Sequence, residues 1–192
     1  MEYKEKIFSI DELKGQEFEN CQFIHCTFIG SNLRFTSFRA CEFRLCDLSS
    51  VLFDMSSFEK CSFPESKLSN LDFSDVSLKQ CNFFHAIVKY CIFQQLKAGN
   101  KNEKKKFDLT TSIFEEADLS GTIFYFCDLH GVRFRKSNLE NVVFEKCNLK
   151  ETNFVQSNIS GVNFMDSKID HTVLDFDGLI TFGSSKGFIL EQ

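Results

Sequence analysis

Nine cysteines and four histidines are the residues whose types could support metal binding, redox chemistry or proton transfer. Cys21, Cys41, Cys61 and Cys81 follow one another at intervals of 20 residues. Redox and zinc sites commonly hold two cysteines within one C-x-x-C motif, and the sequence contains no such motif. The spacing of the thiols therefore has to be explained by the structural elements that carry them.

A five-residue repeat organises most of the chain. From Phe18 to Phe93 every fifth residue is apolar, in sixteen of sixteen positions. The pattern then shifts by one residue and resumes from Phe114 to Leu174, in thirteen of thirteen positions. Of these 29 central positions 17 are Phe, which accounts for about two-thirds of the 25 Phe in the chain.

A second constraint lies two residues before each central residue. There, 27 of the 29 positions hold Cys, Ser, Thr, Val or Ala, and the exceptions are Gln16 and Leu71. A period of five matches neither a helix nor a flat strand, whose periods are 3.6 and 2. It does match a four-sided coil in which the central and small residues point inward and identical sides stack every 20 residues, separated by the strand spacing of about 4.8 Å.

The pattern small, any, Phe or Leu, any, any resembles the pentapeptide-repeat family over residues 18–174. The resemblance implies an all-β protein, a right-handed quadrilateral parallel β-helix closed by a short C-terminal helix and strand. A rod with one extruded loop and such a tail is similar to the quinolone-resistance (Qnr) branch of the family. That likeness implies a homodimer that binds the type II topoisomerases DNA gyrase and topoisomerase IV, imitates the shape and charge of duplex DNA, and modulates quinolone susceptibility.

The repeat also assigns the residues that could do chemistry. All nine cysteines occupy the small inward position, where a reduced thiol serves as a compact apolar group, so we expect free thiols. The histidines occupy outward positions, and His25 and His85, on one face, would be about 14 Å apart, too far to share a metal. We therefore expect no enzyme activity, metal, cofactor or small-molecule substrate. The remaining cysteines are Cys26, Cys46, Cys91, Cys127 and Cys147, and the other histidines are His130 and His171.

Three segments depart from the repeat. Residues 1–17 keep the phase at Phe8 and Leu13 without the small residue, which predicts an N-terminal cap. Residues 94–108 carry five Lys, one Glu and one Asp, which predicts a loop extruded from the rod; the spacing leaves open whether Leu109 adds a side. Residues 175–192 predict a cap and dimerisation segment, with Asp175 or Asp177 capping a helix before a closing strand. The candidate dimer contacts are Leu179, Ile180, Phe182, Phe188 and Ile189.

The loop is either a tolerated insertion or part of a partner site. Outward apolar residues on both sides of it favour a site where the loop or a partner docks. The candidate partner-binding residues are Lys101, Lys104, Lys105 and Lys106 in the loop, the aromatic residues Phe84, Tyr90, Tyr125 and Phe126 beside it, and the carboxylates Glu140, Glu145 and Asp166 on the rod.

Charge limits the class of partner. A formal net charge of −5 argues against direct nucleic-acid binding, and residues 111–192 carry 12 acidic and 7 basic residues without forming a single acidic stripe. No apolar run reaches the length of a membrane span and the N-terminus is charged from Glu2, so we expect a cytoplasmic protein. Two classes of function follow, a topoisomerase-binding DNA mimic and an interaction scaffold for another protein.

Overall fold

The computed structural model describes residues 1–95 and 105–191. The chain winds into a parallel β-solenoid of about seven turns, with one short helix at its C-terminal end. Strands one coil apart pair in parallel at an interval of 20 residues, as Phe18 does with Phe38 and Phe38 with Phe58. The predicted quadrilateral parallel β-helix is therefore confirmed.

The strands are short because each side of a coil is only five residues long. Within the described residues the elements in chain order are β1 (Glu2–Lys4), β2 (Glu17–Glu19), β3 (Gln22–Ile24), β4 (Ser37–Arg39), β5 (Glu42–Arg44), β6 (Ser57–Glu59), β7 (Ser77–Lys79), β8 (Ile92–Phe93), β9 (Phe107–Asp108), β10 (Ile123–Tyr125), β11 (Cys127–Asp128), β12 (Val143–Glu145) and α1 (Phe176–Ser185).

The four sides stack into four faces, which we call A, B, C and D in chain order starting from β2. Face A holds β2, β4, β6 and β7, followed by β9 and β11. Face B holds β1, β3 and β5, and face D holds β8, β10 and β12. Face C is joined by isolated bridges that run from Ile7 with Thr27 to Asn138 with Asn158. Faces B and D therefore lie on opposite sides of the rod.

Stacked phenyl rings fill the core. Phe43 and Phe63 have ring centroids 5.1 Å apart and nearly parallel planes, and Phe63 stacks on Phe83 at the same distance. Of the 29 central residues, 25 are buried. The exceptions lie in the first and last coils, and Ile169 is 55% exposed because no complete coil stacks above it. The inward direction predicted for Phe18, Phe164 and Leu174 holds, because these residues pack against the core, but at the ends of the rod they are only half-buried.

The small residue ties each coil to the one before it. The Ser66 hydroxyl donates to the carbonyl oxygen of Phe43 at 2.8 Å, and Thr36 donates to Leu13 at the same distance. The Cys61 thiol makes the equivalent contact with Phe38 at 3.5 Å. A small side chain with a donor therefore satisfies a carbonyl oxygen that turns into the core. The predicted inward position of all nine cysteines is confirmed, and all nine are buried and free.

The corners of the coils adopt the left-handed backbone conformation. Gly30 has a φ of +75°, but most corners carry other residues, such as Phe35 at +62° and Met55 at +58°. Each such residue costs roughly 1–2 kcal/mol relative to ordinary backbone. None of the left-handed corners is β-branched, and the two β-branched corners, Ile10 and Thr111, are not left-handed.

The insertion is shorter than the loop predicted over residues 94–108. Phe107 and Asp108 form β9, which pairs with β11, so this part of the prediction was wrong. Leu109 is fully buried and its amide donates to the Asp128 carbonyl oxygen at 3.0 Å. Leu109 is therefore the central residue of an additional side, and Phe107 occupies its small position. Spacing alone could not show this because Phe107 breaks the rule for small residues.

Residues 1–17 continue the coil. Tyr3 stacks on Phe23 with centroids 4.9 Å apart, and Phe8 stacks on Phe28 at 4.7 Å. Leu13 is buried as well.

At the other end the helix α1 begins after Asp175, whose carboxylate accepts from the Gly178 amide at 2.8 Å. This confirms Asp175 as the helix cap. The Phe182 ring meets Phe164 at 5.7 Å and covers part of the last coil.

The prediction of a closing strand after the helix is wrong. The amide of Phe188 donates to the Gly183 carbonyl oxygen and that of Gly187 to Ser184, both at 3.0 Å. With Gly187 at φ +87°, these bonds form a Schellman motif that reverses the chain. Residues 188–191 then run without a strand partner in the described part of the chain.

Candidate protein interface

The return of the insertion to the rod is anchored by Lys106. Its ammonium group lies 5.1 Å from the centre of the Phe126 ring and donates to the carbonyl oxygen of Lys146 at 2.6 Å. Lys105 beside it is exposed. The candidates Lys101 and Lys104 lie outside the described residues.

A second lysine covers the neighbouring aromatic ring. The Lys146 ammonium lies 5.1 Å from the centre of the Tyr125 ring and 2.9 Å from the Glu145 carboxylate. The hydrogen bond that the Lys146 ammonium donates to Glu145 raises the pKa of Lys146, so the cation persists throughout the physiological range. The ring faces of Tyr125 and Phe126 thus each attract a lysine cation.

Tyr90 extends this region across face D. Its ring lies against Gly121 in the next coil, where an added Cβ would be 2.5 Å from Cδ1 of the ring. Between Tyr90 and Tyr125 lies Ile123, which pairs with Ile92 of the coil below. Tyr90 is 63% exposed, Ile123 38% and Tyr125 36%. We call the group Tyr90, Ile123, Tyr125 and Phe126 the aromatic surface.

Phe84 does not belong to the aromatic surface. It lies on face B, opposite face D, and its ring contacts His85 with centroids 4.1 Å apart. The separation follows from chain phase: Phe84 and Tyr125 both follow a central residue, but those central residues are Phe83 on face B and Phe124 on face D. Phe84 and Tyr125 were therefore grouped because both are close to the insertion in sequence, but the coil places them on opposite faces.

Exposed apolar residues also occur below the insertion, at positions outside the candidate partner-binding residues. Phe35 and Met55 are corner residues one coil apart on the edge between faces D and A, and they are 58% and 54% exposed. Leu52 on face D is 53% exposed. Their outward positions in the five-residue repeat could have identified these residues as exposed from the sequence.

The candidate carboxylates are divided by positive charge. Glu140 lies on face C, whereas Glu145 lies on face D and is paired with Lys146. Asp166 occupies the edge between faces D and A, where the order from coil to coil is Phe126, Lys146 and Asp166. Other acidic residues are paired as well, Asp118 with Lys89 at 2.8 Å among them. The surface therefore has mixed charge along this edge.

The C-terminal candidates differ in exposure. Leu179 is 59% exposed, Phe188 75% and Ile189 89%, whereas Ile180 and Phe182 are half-buried. Further exposed apolar residues surround them on α1 and the last coil, namely Met165, Ile169, Val173, Phe176 and Leu190.

The thiols lie where they are poor nucleophiles. Burial raises the pKa of Cys46, Cys81 and Cys91 to about 12, so these groups are protonated at neutral pH. The hydrogen bond from Cys61 lowers the pKa of Cys41 to about 7, but Cys41 is only 1% exposed. A reagent in solvent therefore does not reach it in the folded protein.

The histidines are exposed, and His85, His130 and His171 contact carboxylates. His85 lies 3.3 Å from Glu116, and His130 lies 3.4 Å from Glu151. Within the described ranges, no group of three or more His, Cys, Asp or Glu side chains could hold a metal ion. In the same residues, no helix has the length and apolar character needed to cross a bilayer.

Phe side chains fill the core of this solenoid, and the residues on its outer faces vary from side to side. These features define a class of repeat protein whose members are distinguished by their surfaces. Two family models identify the repeat: pentapeptide repeats (8 copies) match residues 17–54 and 46–83, and a pentapeptide repeat region matches residues 107–176. The chain belongs to the pentapeptide-repeat family. The segment between the matches contains the insertion.

Several solved structures resemble the chain. A trypsin-treated form of QnrB1, a plasmid-mediated fluoroquinolone resistance protein, has 16% identity and a TM-score of 0.48, with 100% of this chain and 99% of that chain covered. HetL, involved in heterocyst differentiation regulation in the cyanobacterium Nostoc, has 13% identity and a TM-score of 0.46, with 86% and 88% covered. Likeness at this level does not extend to function. No curated protein matches the sequence.

Proposed function

We propose that this protein is a non-catalytic, cytoplasmic rod that binds a protein partner through the aromatic surface. The observation that carries the proposal is the exposure of Tyr90, Ile123 and Tyr125 together on face D. Neighbouring exposed apolar groups favour protein interaction, and tyrosines are prominent among the residues that dominate binding energy.

The aromatic surface is also well ordered before binding. Ile123 and Tyr125 belong to β10, which is paired with β8 on one side and β12 on the other. Tyr90 is supported by Gly121, and Phe126 by the Lys106 ammonium. Side chains held on a rigid wall lose little conformational entropy on binding, so a small surface can contribute useful affinity.

The first partner to test is a type II topoisomerase, DNA gyrase or topoisomerase IV, because the sequence resembles the Qnr branch of the family. In this proposal Lys105 and Lys106, with Lys101 and Lys104 in the same segment, contact the enzyme. The acidic excess of residues 111–192 favours the further idea that the rod replaces duplex DNA. Lys146 lies between Phe126 and Asp166 on the edge between faces D and A, so the negative charge along this edge is not continuous. This arrangement favours binding through apolar groups instead.

A supercoiling assay with purified gyrase, with and without a quinolone, tests this partner. We expect micromolar protein to alter supercoiling or its inhibition by the drug, and the double variant Tyr90→Ala, Tyr125→Ala to lose most of the effect. Phe84→Ala is the matched control, because it removes an exposed aromatic group from the opposite face. Supercoiling unaffected by folded protein would remove the topoisomerase and leave a scaffold for another partner.

The same assay separates charge mimicry from apolar contact. Reversing the charges of Glu140, Glu145 and Asp166 should weaken a DNA mimic and reduce the salt dependence of its binding. An apolar contact would instead depend on the aromatic surface and change little with salt.

We also propose that the protein forms a homodimer through residues 175–192. The support is the exposure of Leu179, Phe188 and Ile189 at one end of the rod. A two-fold contact would bury this end of both copies and shield the last coil, which has no coil above it.

A further inference from the structure

The edge between faces C and D carries an exposed aromatic ring and an exposed carboxylate. Tyr90 is the corner residue of its coil, and Cδ1 and Cε1 of its ring lie against Gly121 of the next coil. The Gly121 amide in turn donates to the carbonyl oxygen of Glu140 at 2.9 Å. Glu140, whose side chain is exposed, therefore stands one coil beyond the glycine on which the ring lies.

The opposite edge of face D shows how this chain combines a ring with a cation. There the Lys146 ammonium lies 5.1 Å from the centre of the Tyr125 ring and 2.9 Å from the Glu145 carboxylate. Ring, cation and carboxylate thus form a group of three. Within the described residues no cation lies over the Tyr90 ring, although Tyr90 is the more exposed of the two tyrosines.

The lysine next to Tyr90 is bound to another group. The Lys89 ammonium lies 2.8 Å from the Asp118 carboxylate on face C. The hydrogen bond to Asp118 is the main cause of the raised pKa of Lys89, and the negative charge of Glu140 raises it further. In the three coils that hold these residues, the sides of face C carry one lysine and two carboxylates. The Glu140 carboxylate therefore has no ion pair of its own in the described part of the chain.

The space between the ring and the carboxylate is not filled by the next corner residue. Asn141 is the corner residue above Gly121, and its side chain lies against Gly161 of the following coil. The backbone on both sides of this space is fixed, because the Tyr90 amide donates to Ser120 at 3.1 Å and the Gly121 amide to Glu140. About one coil, roughly 5 Å, thus separates the Tyr90 ring from the backbone of Glu140.

We propose that this edge binds an arginine side chain of the protein partner, with the guanidinium stacked on the Tyr90 ring and hydrogen-bonded to the Glu140 carboxylate. A guanidinium is suited to both contacts at once, because its flat face stacks on a ring while the N–H groups at its rim donate to a carboxylate. A lysine ammonium has no flat face and holds its water more strongly. The inference rests on the proposed function, since Tyr90 belongs to the aromatic surface, and it adds the chemistry of one contact.

NMR titration of the full chain with the acetylated tripeptide amide Leu-Arg-Leu tests the proposal. Its leucines supply apolar contacts for Ile123, and a matched peptide carries citrulline, which is neutral and nearly the same shape, in place of arginine. We expect the arginine peptide to shift the Tyr90 ring signals and to bind about tenfold more tightly than the citrulline peptide. Equal affinity of the two peptides would overturn the arginine contact while leaving the aromatic surface as an apolar site. No saturable binding of the arginine peptide at millimolar concentration would also overturn it.

Four single variants complete the test, and none of the substituted residues is buried. Glu140→Gln and Tyr90→Leu should each reduce the preference for arginine over citrulline to less than about twofold. Glu145→Gln and Tyr125→Leu are the matched controls at the opposite edge, where Lys146 already lies over the ring, and they should leave the preference unchanged. A preference that survives Glu140→Gln or Tyr90→Leu would overturn the contact. An equal loss in Glu145→Gln would show a general effect of the acidic rod and would overturn a local site.

Discussion

The Tyr90 ring lies against Gly121 of the next coil, so closely that a Cβ at residue 121 would be 2.5 Å from Cδ1 of the ring. The absence of a side chain at Gly121 is therefore what allows Tyr90 to lie along the edge of face D. The same glycine has a φ of +69°, the left-handed conformation used by the corners. One residue thus serves both the turn and the aromatic surface.

Gly121→Ala should displace Tyr90, and Gly131→Ala provides a matched control. Both glycines have a φ of +69°, but an added Cβ at residue 131 meets no atom within 4 Å. Each variant should lose about 1 kcal/mol through backbone strain. Only Gly121→Ala should change the NMR signals of the Tyr90 ring and weaken partner binding. Equal effects of the two variants on those signals would contradict the contact.

Phe63→Ala should reduce the free energy of unfolding by about 3–5 kcal/mol, because it leaves a cavity between two stacked rings. Phe63 is 1% exposed and lies between Phe43 and Phe83. Phe35→Ala removes the same group from an outward corner and should change stability by less than about 0.5 kcal/mol. Denaturant unfolding measures both, and a loss below about 1 kcal/mol for Phe63→Ala would reject its place in the core.

Ser66→Ala should cost about 1–3 kcal/mol, because it leaves a buried carbonyl oxygen and a buried amide without their partner. The Ser66 hydroxyl donates to Phe43 and accepts from the Cys46 amide, both at 2.8 Å. Ser66→Cys retains a weak donor of similar size and should lose less. Equal stability of the two variants in denaturant unfolding would show that the donor at this position contributes nothing.

Stability should fall as the pH rises from about 9 toward about 12. Burial raises the pKa of Cys81 and Cys91 to about 12, whereas a thiol in the unfolded chain ionises near 8.5. Between these values the unfolded chain releases protons that the folded chain keeps, so each pH step favours unfolding. The double variant Cys81→Ser, Cys91→Ser should show a shallower decline of the melting temperature. An identical slope would mean that these thiols do not contribute.

If the proposed homodimer forms, Leu179→Glu combined with Ile189→Glu should give a monomer, because both residues are exposed on the proposed contact. Phe35→Glu places the same charge on an exposed apolar position elsewhere and should leave the assembly unchanged. Light scattering gives the mass of each variant. A dimer that survives the double substitution, and also survives truncation after Leu174, would show that the contact lies elsewhere.

The repeat by itself determined the coil, its four sides, and the inward direction of the central and small residues. It could do so because a period of five is compatible with very few backbone paths, and each inward position is then repeated many times. A residue such as Phe63 is predicted by phase alone, and so is the burial of every cysteine. The same argument weakens at the ends, where Ile169 keeps the phase but lacks a coil above it.

Only the tertiary structure decided where the insertion ends and which outward residues meet. Phe107 does not follow the rule for small residues, yet it forms part of the coil, because its strand β9 pairs with β11. Phe84 and Tyr125 are both outward by phase, but the coil places them on opposite faces. Outward residues have no neighbour fixed by the five-residue period, so their grouping depends on how many sides lie between them. That number is set by strand pairing around the insertion, which is a property of the folded stack.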